Sequence, residues 1–316
     1  MTETTPLAPE YQFYTPPAGR RIIVGADEHE VELPQIQLPV ESDGPLQEEP
    51  NDKTLGVGLY NYLRRFPDCP QARDYAQLLQ KAFPYYLTDI GSQIIMLEAK
   101  DVDAPYIRRK INYLKILALL EPENPQLLYK IGMAYFELGM VYVELINIRR
   151  EFSNALNYSR RALQNNPQDT STLNLLGQIS YLMGDYPAVL RYWQGVVDLL
   201  PECAAREVLQ ARIARVAAGD CPPAPLVDDL EAIGIATEHF AANEFDAAAE
   251  IMNRLEEEAL LPVELPNPEF YYFLGICREK SGESAAAFEA FTKALEIDPE
   301  HEAAQNGIDR IQDGSA

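Results

Sequence analysis

One spacing of leucine, glycine, aromatic and proline residues occurs twice in this chain and constrains its fold more than any other feature. In both copies a leucine–glycine pair precedes an aromatic residue flanked by small or branched side chains, and a proline closes the segment. A glycine lets two helices approach closely, an aromatic ring fills the seam, and a proline ends the second helix. The spacing therefore predicts paired helices in both segments. The residues are Leu173, Leu176, Gly177, Val189, Trp193, Val196 and Pro201 in 170–203, and Tyr271, Leu274, Gly275, Ala287, Phe291, Ala294 and Pro299 in 268–301.

This spacing resembles the tetratricopeptide repeat, a helix-turn-helix unit of about 34 residues. The resemblance implies an all-α fold, an α-solenoid of tetratricopeptide-like helical hairpins. A weaker copy at 229–262 carries Ala248, Met252 and Leu255.

Another weak copy, at 125–167, matches in two registers, one placing Gly132 and the other placing Gly139 at the helix crossing. It is longer than the other copies by about three helical turns, a length that keeps the apolar face in phase. We therefore expect an elongated hairpin at 125–165 that protrudes from the stack.

Breaks in the pattern predict three parts. Residues 53–218 form the main array and end in a capping helix at 203–218, and residues 226–316 form an acidic lobe of tetratricopeptide repeats. Between them, residues 219–225 are rich in proline and are predicted to form a connector. The lobe is strongly acidic, with 22 acids and 5 bases from residue 216 to the end.

Residues 1–52 differ from the rest because they contain eight prolines and carry 11 acids against 2 bases. Proline fixes φ and removes a backbone donor, so an extended, acidic, proline-rich arm is predicted here. Two alternatives stay open: a disordered tail, or an arm whose apolar residues between 11 and 40 dock on the helical array. Two β-prone runs, at 20–24 and 31–33, are compatible with a small hairpin.

Catalytic patterns are missing from the sequence. The chain has three histidines and four cysteines, widely separated and without the spacing of metal ligands, and it has no phosphate-binding glycine loop. We therefore predict a protein that is not an enzyme, with no catalytic residues, no metal and no cofactor. A net charge of −23 argues against binding to nucleic acid, and no apolar run is long enough for membrane insertion. Without a recognisable secretory signal, a cytoplasmic location is predicted.

The family that this chain resembles holds a peptide or a partner's helix in a concave groove lined by the first helix of each repeat. Carried over position by position, the resemblance implies a groove that is more aromatic than the lysine- and asparagine-rich grooves of the family's chaperone-binding members, which argues against chaperone co-factor function. The implied groove residues are Tyr129, Met133, Phe136, Asn174, Gln178, Tyr181, Tyr272, Ile276 and Lys280.

Such a surface suits an amphipathic helix or an apolar extended segment. The leading prediction is a protein–protein interaction scaffold or assembly factor whose partner is a protein or peptide. The alternatives are a chaperone-like holdase for a specific aggregation-prone client, and a catalytic or non-catalytic subunit of an enzyme complex.

Overall fold

A computed structural model describes residues 11–24, 29–42, 49–99, 103–141, 147–258 and 260–314. Within these residues the chain forms fifteen helices and four short strands. The all-α fold predicted from the repeat spacing is confirmed, and the strands are confined to the amino-terminal arm. By compactness the chain divides into two units, residues 1–134 with 164–166, and residues 135–163 with 167–316.

The helices show the predicted alternation of long segments and short breaks. Their bounds are α1 Asp52–Arg65, α2 Ala72–Ala82, α3 Pro84–Glu98, α4 Ala104–Leu120, α5 Pro125–Met140, α6 Ile148–Asn165, α7 Thr170–Leu182, α8 Tyr186–Leu199, α9 Ala204–Ala217, α10 Leu226–Ala241, α11 Phe245–Glu258, α12 Leu260–Glu264, α13 Pro268–Lys280, α14 Ser284–Ile297 and α15 Glu302–Gln312.

Side-chain caps explain where several helices begin. Asp169 accepts a hydrogen bond from the backbone N–H of Thr172 at the start of α7, and Asp185 does the same for Ala188 at the start of α8. Such caps satisfy donors that have no partner inside the helix. At the start of α13, Asn267 accepts a hydrogen bond from the backbone N–H of Glu269, and Pro268 occupies the first helical position.

The arm forms two separate antiparallel strand pairs. Strand β1 (Tyr11–Tyr14) pairs with β4 (Leu38–Glu41), and β2 (Arg21–Val24) pairs with β3 (His29–Glu32). The arm's alternating side chains put Ile22, Leu38 and Val40 in contact with the helices, where all three are buried. Residues 1–10, 25–28 and 43–48, which also belong to the predicted arm, lie outside the described residues.

Close backbone approach fixes strand β4 against helix α1 in the first unit. A Cβ atom placed on Gly58 would lie 2.3 Å from the carbonyl oxygen of Pro39, so only glycine fits there. The ring of Tyr11 meets Tyr62 edge-on at 5.1 Å, and Tyr75 donates a hydrogen bond to the carbonyl of Gln37. The described part of the arm therefore packs on α1 and α2, which corresponds to the docked alternative.

Glycine–aromatic contacts hold the helical hairpins of the second unit together. A Cβ on Gly177 would lie 2.2 Å from Nε1 of Trp193, and one on Gly275 would lie 2.5 Å from Cε1 of Phe291. These two contacts link α7 to α8 and α13 to α14, at the positions that the repeat spacing indicates.

In the pair α5–α6 the close approach is between Gly139 and Phe152, because a Cβ on Gly139 would lie 2.4 Å from Cε1 of that ring. This contact favours the register that places Gly139 at the helix crossing. Helix α6 has 18 residues and α5 has 16, against 13 for α7. The tip of the predicted elongated hairpin, residues 142–146, lies outside the described residues, so its protrusion stays a prediction.

The proposed connector at 219–225 lies inside the second compact unit. Tyr186 donates a hydrogen bond to the carbonyl of Pro222 at 2.7 Å, and a Cβ on Gly184 would come within 3.1 Å of Pro225. The connector is thus in contact with the α7–α8 hairpin. A separation of lobes at this point stays a prediction.

Candidate partner-binding cleft

A cleft of about 570 Å³ opens within the second unit, between the ends of α5, α7 and α9 and the segment 263–265. Its volume is within the range of sites that accept small ligands or a few side chains of a partner. The lining is mostly apolar, with a polar group at one end. The lining residues are Phe136, Met140, Gln178, Tyr181, Leu182, Trp193, Val208, Ala211, Arg212, Arg215, Val216, Val263, Glu264 and Leu265.

Three side chains from three helices form the polar end of the cleft. Tyr181 of α7 donates a hydrogen bond to Glu264 of α12 at 2.7 Å. Arg215 of α9 donates both to the Tyr181 hydroxyl at 2.5 Å and to the Glu264 carboxylate at 2.8 Å. Each group therefore contacts the other two, and the cluster ties the three helices together.

The electrostatics of this cluster favour a charged carboxylate. Burial acts to raise the pKa of Glu264, but the hydrogen bonds from Arg215 and Tyr181 outweigh it and hold the pKa below its usual value. Burial, and then the hydrogen bond to Glu264, raises the pKa of the Tyr181 phenol. At neutral pH the phenol is therefore a donor, and Glu264 is an ionised acceptor.

Aromatic packing fixes Tyr181 at the cleft wall. Its ring stacks on Trp193 with a centroid separation of 5.9 Å and an interplanar angle of 24°, and it meets the ring of Tyr186 edge-on at 5.8 Å. Trp193 reaches this position because Gly177 leaves room for its indole. The repeat's own glycine–aromatic contact thus builds one side of the cleft.

One segment of the chain matches a known family model. Residues 233–302, which run from α10 to the start of α15, match the family model of the tetratricopeptide repeat. This segment carries tetratricopeptide repeats. A solved structure of a tetratricopeptide repeat protein from Parabacteroides merdae is 14% identical and covers 82% of this chain and 92% of that one, with a TM-score of 0.28. No curated protein matches the sequence.

Three of the nine groove residues implied by the tetratricopeptide resemblance line the cleft. These are Phe136, Gln178 and Tyr181. Asn174 lies on α7 and is half-buried, but it does not line the cleft. Tyr129 and Met133 lie on the part of α5 that belongs to the first unit, where both are half-buried.

The remaining three implied residues lie on α13, where two of them are engaged in packing. Tyr272 and Ile276 pack against the buried cluster that α14 and α15 form around Phe291. The ring centroid of Tyr272 is 5.2 Å from that of His301. Lys280, at the end of α13, is exposed. The expectation that these positions form a groove surface therefore stays a prediction, and helix packing is the observed role of Tyr272 and Ile276.

Several cleft residues were not among the implied set. Met140 follows Gly139 as Gln178 follows Gly177, so the second register of the 125–167 copy would have selected it. Val208, Arg212 and Arg215 lie on α9, which the sequence indicates only as a capping helix. The segment 263–265 has no counterpart in the repeat spacing, and no sequence signal indicated its position.

Three other features of the described part of the chain bear on its function: groups that could hold a metal ion, the histidines, and the apolar length of the helices. No group of three or more histidine, cysteine, aspartate or glutamate side chains there is arranged to hold a metal ion. His301 caps α15 by accepting from the backbone N–H of Ala304, so its ring has a structural role. None of the described helices is both long and apolar enough to cross a bilayer.

Proposed function

We propose that this protein is an interaction scaffold whose second unit binds a segment of a partner protein in the cleft between α5, α7, α9 and α12. Tetratricopeptide repeats support protein binding in general, and the cleft is the surface to which we assign it. The observation that carries the proposal is the combination of exposed apolar side chains with one polar cluster. Such a combination is typical of surfaces that anchor apolar side chains of a partner and orient them by a few polar contacts.

The exposed apolar residues of the cleft are the anchoring surface. Val263 is 73% exposed and Val208 is 57% exposed, although both line a concave surface beside Phe136 and Met140. Covering these groups with apolar side chains would remove them from water. Methionine adapts to different shapes, which suits a surface that receives a flexible segment. An amphipathic helix or an apolar extended segment fits this description.

The test compares substitutions inside and outside the cleft. Val208→Asp and Val263→Asp place a charge among the apolar lining residues and leave the core intact because both side chains are exposed. Ile235→Asp is the matched control, since Ile235 is 48% exposed on α10 and does not line the cleft. Affinity capture with the full chain, quantified by mass spectrometry, should lose the same specific partner with both cleft variants and keep it with the control.

A photo-crosslinking residue at position 208 should also label that partner. If both cleft variants retain every partner that the wild-type chain captures, the cleft is not the binding site. The holdase and enzyme-subunit alternatives, and the cytoplasmic location, stay predictions of the sequence.

A further inference from the structure

The cleft already contains a carboxylate that belongs to this chain. Residues 260–265, here called the strap, comprise α12 and the residue after it and connect α11 to α13. Leu261 anchors the strap because its side chain is buried, whereas Val263 is left to solvent at the cleft mouth. Glu264 is directed into the cleft, where its carboxylate meets Arg215 and Tyr181.

Two arginines and a second acid, Asp220, act together with Glu264 at the polar end of the cleft. Arg212 and Arg215 both line the cleft, and Glu264 is the acidic residue among the lining side chains. Arg215 also lies in the field of Asp220, and Arg212 acts on Glu264 through space. The lining therefore holds two arginines and one carboxylate, and Asp220 supplies the second negative charge from outside the lining. Because charges further away than about 8 Å are largely screened at physiological salt, Arg215 and Arg212 are the groups that attract a carboxylate into the cleft.

We infer that Glu264 occupies the seat of a partner's carboxylate, and that the cleft selects a partner segment in which an aspartate or glutamate stands next to an apolar side chain. This inference rests on the proposed function and adds the chemistry of the partner to it. The partner's carboxylate takes the hydrogen bonds of Arg215 and Tyr181, and its apolar neighbour covers the side chains that the strap leaves exposed.

Exchange of one carboxylate for another explains why this class of segment is selected. Removing Glu264 without a replacement would leave Arg215 and the Tyr181 hydroxyl without their acceptor, which is costly in a partly buried site. A basic or purely apolar segment that displaced Glu264 would incur that cost, whereas an acidic one would not. In this exchange the strap, a short element held by Leu261 and by the Glu264 contacts, moves while α7 and α9 keep their positions.

The experiment uses the strap itself as the probe. A synthetic peptide spanning residues 260–266, blocked at both ends, is titrated into the full chain, and a second peptide carries glutamine at the position of Glu264. The protein is either wild type or Glu264→Gln, which weakens the internal competitor and keeps its shape. Trp193 reports binding by its fluorescence because it is the single tryptophan of the chain and lines the cleft.

With the Glu264→Gln protein, the glutamate peptide should bind roughly tenfold more tightly than the glutamine peptide, because it restores charge-assisted hydrogen bonds. Wild-type protein should bind it several-fold more weakly, since Glu264 competes. Adding Arg215→Met to Glu264→Gln should abolish the preference. Adding Arg254→Met should not, because Arg254 lies outside the cleft and its ion pair with Glu258 is on the surface of α11.

Equal binding of the two peptides, no binding of either, or a preference that survives Arg215→Met would overturn the inference. An equal loss of preference with Arg254→Met would do the same, because the attraction would then be non-specific. These outcomes are distinct from failure of the proposed function, which is tested by partner capture with the variants at positions 208 and 263. If those variants lose the partner while the peptides show no preference, only the assignment of the carboxylate seat is wrong.

Discussion

The ring of Phe291 is held between two glycines, and this arrangement allows a quantitative prediction for Gly275→Ala. Phe291 is fully buried, and a Cβ on Gly275 of α13 would lie 2.5 Å from its Cε1 atom. On the other edge of the ring, a Cβ on Gly307 of α15 would lie 2.6 Å from Cε2. A methyl group added at Gly275 would push the Phe291 ring toward Gly307, and the backbone of α15 lies on that side.

The magnitude is set by two opposing effects. Alanine is favoured over glycine inside a helix by about 1 kcal/mol. Overpacking a core typically costs about 1–3 kcal/mol, and the upper part of that range applies here because the ring of Phe291 is confined on both edges. We therefore expect Gly275→Ala to lower the free energy of unfolding of the second unit by about 1–2 kcal/mol.

Gly195→Ala is the matched control in the same unit. It lies inside α8, and a Cβ there would be 3.4 Å from Cδ1 of Leu173, which is an ordinary contact. This variant should gain about 0.5–1 kcal/mol from helix propensity. Urea unfolding, monitored by circular dichroism at 222 nm and by Trp193 fluorescence, measures both variants.

Combining Gly275→Ala with Phe291→Leu provides a second check. The smaller side chain leaves room for the added methyl group, so the double variant should be less destabilised than the sum of the two single variants, by about 1 kcal/mol. If Gly275→Ala is as stable as Gly195→Ala, or if the two changes add without coupling, the helix crossing at Gly275 has been assigned wrongly.

Three further predictions concern charge, thiol reactivity and the arm. Arg310 lowers the pKa of Glu279 through hydrogen bonds of 2.7 and 2.9 Å, so Arg310→Met should cost about 1 kcal/mol at pH 7, and urea titrations should show this cost vanishing as the pH falls through the lowered pKa of Glu279 and its carboxyl is protonated. Burial raises the pKa of Cys277 to about 12, so in Ellman's assay it should react at least 100-fold more slowly than the exposed Cys203, and equal rates would contradict this burial. Val40→Asp, which places a charge at a fully buried position of β4, should release the arm and speed its proteolysis several-fold while the helical circular dichroism is retained; unchanged proteolysis would contradict the docking.

The helices and their pairing could be predicted because their signals are local. Leu173, Gly177 and Trp193 lie within one hairpin, and the requirement that a glycine face an aromatic ring acts between neighbours in sequence. The same requirement operates between Gly275 and Phe291. Pro201 and Pro299 lie two residues beyond the ends of α8 and α14, where the repeat spacing closes the second helix of each pair. Such signals do not depend on the rest of the chain.

Strands β1 and β4 of the arm were harder to predict than β2 and β3 because their stability comes from contacts with distant helices. Residues 11–14 and 38–41 are only four residues each and contain little periodicity. They are stabilised by pairing with one another and by packing on α1, where Gly58 receives the backbone of Pro39. A two-stranded pair alone would be marginal in water. The glycines of α1 are visible in the sequence, but nothing local says that a strand lies against one of them.

Equivalent positions in different repeats have different surroundings in the structure, which explains why the cleft residues could be only partly predicted from the sequence. Gln178 and Ile276 each come directly after the glycine of a repeat, yet Gln178 lines the cleft whereas Ile276 packs against the cluster formed by α14 and α15. The difference arises from the elements that pack beside each hairpin. Helix α9 and the strap leave a space beside α7, and they line it with Val208, Arg215 and Glu264. Beside α13 there is α15, whose Gly307 fits closely against Phe291 and whose first turn brings His301 onto Tyr272. A repeat position therefore specifies the face of a helix, and the neighbouring element decides whether that face stays open as a cleft or becomes core.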